Sequence, residues 1–390
     1  MIYSKHLKEL SALSTPYYFY DIDLLKSTLK TVKDEAGKYS FKVHYAVKAN
    51  NNVRILKLIK DYGLGADCVS GNEVEMAIKC GFNNNDIILA GAGKTDLEIE
   101  TALSNKISCL NCESLEELLV ISKLAIKHNC VARIALRVNP NIDAQTHSYI
   151  TTGLNENKFG ISENELSEAI EIIETSPSIK LCGLHVHIGS QIHDTNVFVE
   201  LCKKINSLNN WFSEKKIKFE HINVGGGLGI NYENPDSNLI PDFATYFSIF
   251  NTHLHLKNGE ELQVELGRSI VGQCGTLVSR VLFSKKRSQS TFLILDAGMT
   301  ELMRPALYQA YHCIQRLDDS NNNALKNSYT VVGPICESSD TFGKNIELPL
   351  TKRGDILLIR SVGAYGEVMS SSYNLREKAP AYFLENEKII

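Results

Sequence analysis

The chain has 390 residues, more than one ordinary domain of about 100–200 residues, and 43% hydrophobic with 22% charged residues is the balance of a globular, core-forming protein. A formal net charge of −4, with "SKKRS" (284–288) as the densest basic run and read as a solvated hairpin tip, argues against a nucleic-acid partner, since phosphate binding needs a basic face. No apolar run approaches the ~20 residues that span a bilayer and "MIYSKHLKEL" lacks the apolar core of a signal peptide, so the expectation is a cytoplasmic chain without a membrane partner.

In chain order, "TPYYFYD" (15–21) reads as a β-rich lead-in, and "DIDLLKSTLKTVKDEAG" as a first helix. Short apolar, β-branched runs then alternate with helical periodicity. The strand-like runs are "FKVHYAV" (41–47), "LGADCV" (64–69), "DIILA" (86–90), "ISCLN" (107–111), "VARIALRV" (131–138), "KLCGLHVHI" (180–188), "FEHINV" (219–224) and "ELQVEL" (261–266). Helical stretches such as "NVRILKLIKDYG" and "SLEELLVISKLAIKHN" lie between them. Near-continuous apolar strands alternating with helices imply a parallel sheet covered on both faces. Eight such units in roughly 250 residues fit a closed β/α barrel better than an open doubly wound sheet. The alternative Rossmann-like sheet lacks its glycine fingerprint at "VKANNNV".

After residue 273 the texture becomes strands joined by turns, with helix largely absent: "GTLVSRVLFSKK", "STFLILDAG", "SYTVVGP", "GDILLIRSVGAYG" and "APAYFLENEKII". The predicted fold is therefore α/β, an eight-stranded parallel TIM-like barrel over 22–273, with an all-β domain from 274–390 that the lead-in 1–21 joins. The longest irregular stretch in the barrel is "NIDAQTHSYITTGLNENKFGI", and residues 139–160 are candidates for a loop that closes over a site.

Ten cysteines sit mostly inside apolar runs (Cys68, Cys80, Cys130, Cys182, Cys202), where a thiol acts as a small hydrophobe. Cys109 and Cys112 form a CxxC, but no second pair or nearby histidine completes a zinc set, so reduced thiols and no metal are expected.

A barrel carries its chemistry at the C-terminal ends of its strands. Those ends hold Lys48, Asp67 with Ser70, Arg137, His187 with Ser190, Gly225 to Gly227, and Glu265 with Arg268. A lone lysine at a strand end is ordinarily a cap whose ammonium reaches water; in a pocket it is a nucleophile. "NVGGGLG" (223–229) is either a tight bend or a backbone that approaches an anion, the latter in keeping with phosphate sites after strands seven and eight of such barrels. "HVHIGSQI" puts His185 and His187 on one strand face, as core histidines, metal ligands or contacts to an aromatic cofactor. "QVELGR" aims Glu265 inward, where a buried carboxylate needs a cationic or protonated partner; a Glu–Arg tie across the barrel mouth is the plainer reading. A lysine, a ring contact, a carboxylate for a ring nitrogen and a phosphate cradle are together the equipment for pyridoxal 5'-phosphate. A phosphate-binding barrel without that cofactor is the other reading of these residues.

The motifs "YAVKAN", "ADCVSGNE", "HVHIGSQI", "NVGGGLGI", "ELGRSIVG", "MRPALYQAYH", "VVGPICESSDTFGK" and "GAYGEVMSSSYN" resemble the diaminopimelate decarboxylases, within the barrel-type pyridoxal-phosphate decarboxylases that also act on ornithine and arginine. The resemblance runs from "TPYYFYD" to about "AYGEVMSSSYNLRE". It implies decarboxylation of meso-2,6-diaminopimelate to L-lysine, the last step of lysine biosynthesis, in a homodimer whose subunits share active sites. By position it implies Lys48 as the lysine that joins the cofactor aldehyde, His187 stacked on the ring and Glu265 at the pyridine nitrogen. Ser190, Gly227, Glu265, Leu266, Gly267 and Arg268 resemble the phosphate-binding set, joined by Tyr365. Arg304 and Tyr308, with Arg268 and Tyr365, resemble the residues for the substrate and its distal end. Cys336 resembles the proton donor and Glu337 the contact to the distal amino group, both from the neighbouring subunit. Asp67 and Arg137 match supporting positions. Leu266 departs from the family's usual proline and removes a fixed φ there. A racemase would set a weaker electron sink such as arginine at the ring nitrogen. A catalytically silent relative would dispense with the chemistry that Lys48, Cys336 and Glu265 imply.

Overall fold

The computed structural model describes residues 2–142, 158–288, 290–318 and 325–390. Two compact units emerge, one of Leu29–Gly229 with Pro241–Arg268, the other of Met1–Thr28, Ile230–Ile240 and Ser269–Ile390. The first strand, β1 (Tyr17–Asp21), belongs to the second of these.

The first unit is a closed barrel of eight parallel strands: β2 (Lys42–Ala46), β3 (Gly65–Cys68), β4 (Ile87–Leu89), β5 (Cys109–Cys112), β6 (Ala132–Arg137), β7 (Ile179–His185), β8 (His221–Asn223) and β9 (Glu261–Leu266). Closure runs through β9 and β2, with Lys42 opposite Gln263 and Tyr45 opposite Leu266. All eight strands fall on the apolar runs read from the sequence. Apart from residues near the strand starts such as Lys42 and Lys180, their side chains are buried on both faces, because the strands return through helices that cover the outside. The helix Val53–Asp61, for example, buries Ile55, Leu56 and Ile59. Four of the crossovers start sharply because a polar side chain accepts one of the helix's first free N–H groups: Asn52 from Arg54, Ser70 from Glu73, Thr95 from Glu98 and Ser114 from Glu117. Ser70, read as a rim residue, is thereby occupied as a helix cap. Of the stretch 139–160, residues 143–157 lie outside the described residues.

The second unit is built on a nine-stranded sheet. Its strands are β1, β10 (Gly275–Lys286), β11 (Thr291–Leu295), β12 (Ile314–Arg316), β13 (Lys326–Val332), β14 (Thr341–Pro349), β15 (Ile356–Ile359), β16 (Ala381–Glu385) and β17 (Lys388–Ile389). The lead-in pairs as expected: β1 runs antiparallel to β10 and parallel to β16, with Tyr17 opposite Val278 and Tyr18 opposite Ala381. Its aromatic side chains Tyr17, Tyr18, Phe19 and Tyr20 are all buried. Their hydroxyls are satisfied, Tyr17 donating to Leu10 O, Tyr18 to Glu301 O and Tyr20 to the Glu367 carboxylate. "SKKRS" does lie at the β10–β11 hairpin end, where the Arg287 N–H donates to Ser290 O. Strands β12 and β14 and the helix Leu7–Ala12 were not anticipated. Among the described residues no helix is long and apolar enough to cross a membrane.

Candidate active site

The barrel unit brings a lysine, two carboxylates and two histidines to the C-terminal ends of its strands. Lys48 sits in a single tight turn, Val47–Ala49, directly after β2, and its Nζ donates to Asp67 Oδ2 of β3 at 2.7 Å. Asp67 is fully buried, and its Oδ1 has no hydrogen-bond partner among the described residues. Burial and the negative charge of Glu265 push the Asp67 pKa up to about 6 against the pull of Lys48.

Glu265, on β9, meets polar side chains through one oxygen only among the described residues. Asn223 Nδ2 donates to its Oε1 at 2.9 Å, Asn111 Nδ2 at the longer 3.5 Å, and His185 Nε2 stands 3.2 Å from the same oxygen, outside hydrogen-bond geometry. Burial alone would raise the carboxyl's pKa, but His185, Lys48 and His187 outweigh it and hold Glu265 well below the usual carboxylate range, hence ionised. Asn111, Asn223 and His185 were not singled out for this task by the sequence. The available signal was an asparagine inside each of two otherwise apolar strand runs.

His187 follows β7 and accepts the Gly226 N–H on Nδ1 at 3.2 Å. Desolvation, then the charge of Arg137, pushes its pKa down to about 3, and burial does the same to His44, to about 4. Both groups have folded pKa values below the unfolded value of about 6.5, so the stability they contribute is present above that pH and lost as pH falls through their folded values. Histidine NMR of the native protein is expected to find both imidazoles neutral at pH 5; titration near the free value would contradict these environments.

Arg137 does not stand open. Its Nη1 donates to Glu113 Oε1 at 2.7 Å and its guanidinium lies 4.7 Å above the Phe159 ring. Glu113 also accepts the Gly91 and Gly160 N–H groups at 3.0 and 3.2 Å, so this buried ion pair pins three strand-end loops.

The glycine run after β8 is required by space. Gly225 has φ of +67°, and a Cβ there would lie 2.4 Å from His187 Nδ1; on Gly226 it would lie 1.8 Å from Glu265 O. Gly226→Ala is expected to destabilise the barrel by about 1–3 kcal/mol or more and to lower cofactor retention, read by urea unfolding and by cofactor absorbance after gel filtration. Beside the run, Arg268 Nε and Nη2 both donate to Ser190 Oγ at 3.1 Å. Gly267 packs where a Cβ would meet Ala49 and Ala46. Leu266 is buried and in register with Tyr45, so the β-ladder restrains the position that a proline ring would otherwise fix.

In the other unit, Arg304 and Tyr308 begin and end one short helix with Pro305 in its first turn. Arg304 is buried, 2.7 Å from His312 Nε2 and with its guanidinium 4.6 Å above the Tyr232 ring. Since arginine can only donate, the Nδ1–H of His312 donates to Arg360 O at 2.8 Å, which fixes the neutral tautomer. Cys336 and Glu337 lie on the exposed turn between β13 and β14; Tyr373 donates to Glu337 at 2.8 Å, and buried Asp340 clamps the turn by accepting the Ile335 and Met299 N–H groups. Tyr365 has φ of +58°, an uncommon conformation for a tyrosine and one that concentrates at functional sites.

Residues 23–272 match the pyridoxal binding domain of the pyridoxal-dependent decarboxylases. The diaminopimelate decarboxylase of Bacteroides thetaiotaomicron is 48% identical over 377 residues, 96% of this chain and 97% of that one. The chain belongs to the pyridoxal-dependent decarboxylases. Solved members of this family agree. Diaminopimelate decarboxylase from Helicobacter pylori, complexed with L-lysine, superposes with a TM-score of 0.91 at 39% identity, covering 99% of this chain and 95% of that one. The M. jannaschii diaminopimelate decarboxylase, also in complex with L-lysine, gives 0.89 at 32% identity, over 100% and 90% of the two chains.

The family's cofactor is pyridoxal phosphate, and the residues present fit it. All three polar neighbours of Glu265 lie on Oε1, so Oε2 has no protein partner among the described residues and can accept from a protonated ring nitrogen. Arg268 and Ser190 offer donors beside a glycine run that carries no side chains of its own, which suits a phosphate. Lys48 stands at the end of β2, in the same barrel mouth, to meet an aldehyde.

Proposed function

We propose that this chain decarboxylates meso-2,6-diaminopimelate to L-lysine and CO2, the final step of lysine biosynthesis, with pyridoxal phosphate as cofactor. The observation that carries the chemistry is Glu265, an ionised carboxylate at the base of the mouth with one oxygen open. The cofactor supplies a sink for the electron pair left on the α-carbon as CO2 departs. Glu265 would keep the ring nitrogen protonated, which is what makes that sink strong, and Lys48 would hold the aldehyde carbon, its amine oriented by Asp67. His187, neutral, would lie against the ring. Ser190, Gly227, Leu266, Gly267 and Arg268 would seat the phosphate with Tyr365.

Substrate choice rests on the distal end. Arg304 and Tyr308, with Arg268 and Tyr365, would bind its carboxylate, for which a fixed guanidinium fork is suited. Glu337 would bind its amino group and Cys336 would return a proton to the α-carbon, both from the partner subunit of a homodimer. The family match over 23–272 supports taking 22–273 as the cofactor domain, with 1–21 and 274–390 as the β domain. Ten free cysteines suit the reducing cytoplasm, where we place the enzyme.

A CO2-release assay over diaminopimelate, ornithine, arginine and lysine tests the assignment, with diaminopimelate expected to dominate; faster release from ornithine or arginine would overturn it. For the shared site, mixing inactive Lys48→Ala chains with Cys336→Ala chains is expected to restore activity, and no recovery in verified mixed dimers would refute the sharing.

A further inference from the structure

The CxxC pair Cys109 and Cys112, where the sequence led us to expect no metal, is split by strand geometry. Residues three apart on β5 point to opposite faces, and Cys112 Sγ turns away to Ser114 O at 3.6 Å. Cys109 meets other partners instead. Its Sγ lies 3.7 Å from Cys182 Sγ of β7, and one ligand nitrogen of His221, the first residue of β8, lies within 4.8 Å of both sulfurs. All three side chains are buried and come from three separate strands of the barrel.

Two thiols in simple contact would also sit near that separation, so the imidazole decides the reading. His221 Nε2 is buried with no hydrogen-bond partner among the described residues, and such an orphan ring nitrogen is costly unless something binds it. The site also depends on Gly183, where a Cβ would lie 2.2 Å from that nitrogen.

We propose that Cys109, Cys182 and His221 form a buried site for one Zn²⁺ ion, tying β5, β7 and β8 together toward the end of the barrel opposite Lys48. The geometry suits the ion: two thiolates at about 2.3 Å from a tetrahedral zinc stand about 3.8 Å apart, against 3.7 Å here. The charge suits it too. Binding releases the two thiol protons to solvent, and two thiolates with a neutral imidazole cancel the +2 charge, so the filled site carries no net charge into the core. Three protein ligands leave the fourth position to a water molecule. Near the same end of the barrel, Glu220, the residue before His221, pairs with Arg133 and Lys180 at 2.7 and 2.6 Å on a partly exposed surface that offers an approach.

The test uses reduced, EDTA-treated holoenzyme and Co²⁺ as the probe. Wild-type protein is expected to develop the intense visible bands of tetrahedral cobalt with a sulfur-to-cobalt charge-transfer band, saturating at one ion per chain. Zn²⁺ is expected to displace the cobalt and to raise the unfolding temperature. Cys109→Ser should lose the bands, whereas Cys112→Ser and Cys336→Ser should keep them. Because a buried variant can fail to fold, the wild-type spectrum is decisive by itself: absent bands, or only the weak spectrum of octahedral cobalt, overturn the site. Loss of the bands in the variant at exposed Cys336, or in a Cys112→Ser variant that keeps the wild-type unfolding temperature, overturns it equally.

Discussion

Lys48→Ala is expected to lower CO2 release from diaminopimelate by at least roughly 10³-fold, and borohydride reduction should no longer attach the cofactor to the peptide containing position 48. The substitution removes the amine and also strands Asp67, whose buried carboxyl is paired with Lys48 at 2.7 Å. Lys48→Arg separates these effects. A guanidinium keeps the ion pair but stays protonated at any working pH, so it cannot attack an aldehyde. The arginine variant should therefore match the alanine variant in activity while exceeding it in stability. An arginine variant with near wild-type turnover would show that position 48 contributes charge and not covalent chemistry.

Glu265→Gln is expected to lower kcat on the order of 10²–10³-fold with little change in KM, since the amide keeps the shape and removes only the charge. The environment is built around that charge: Asn223 donates to it, His185 stands beside it, and it is held ionised despite burial. A second readout comes from Asp67, whose pKa burial and Glu265 together raise to about 6. Removing the Glu265 charge should move the Asp67 titration to lower pH, visible as a shift of the acidic limb of the kcat profile. Unchanged kcat in the glutamine variant would end the ring-nitrogen assignment.

The barrel strands were legible because each is a short apolar run bracketed by turn residues and followed by a helical period, the pattern that double-sided burial imposes. Strand β14 was not, because "TFGKNIELP" carries Gly, Lys and Asn on a half-exposed path and only its pairing with β13 makes it a strand. Lys48 and Glu265 could be found because a charge at the end of an apolar run is conspicuous. Asn111 and Asn223 carry a weaker signal, since asparagine near a strand end reads equally as turn chemistry. Strand alternation was used to pair His185 with His187, yet β7 stops at His185; the loop, fixed by the Gly226 N–H, brings His187 to the site. Contacts such as Arg137 with Glu113 or Cys109 with Cys182 join residues from different strand–loop units of the barrel, and no local spacing encodes them.

The place of β1 sets an order of events during synthesis. Tyr17–Asp21 leaves the ribosome early, but its two neighbours in the sheet, β10 and β16, follow some 250 and 360 residues later. Until then four large aromatic residues destined for burial have no strand on either side, and such a segment is a template for association between nascent chains. A gene truncated just after β9 would encode every barrel strand yet leave this tyrosine-rich segment permanently without its sheet, so such a fragment should precipitate unless the first 21 residues are removed as well.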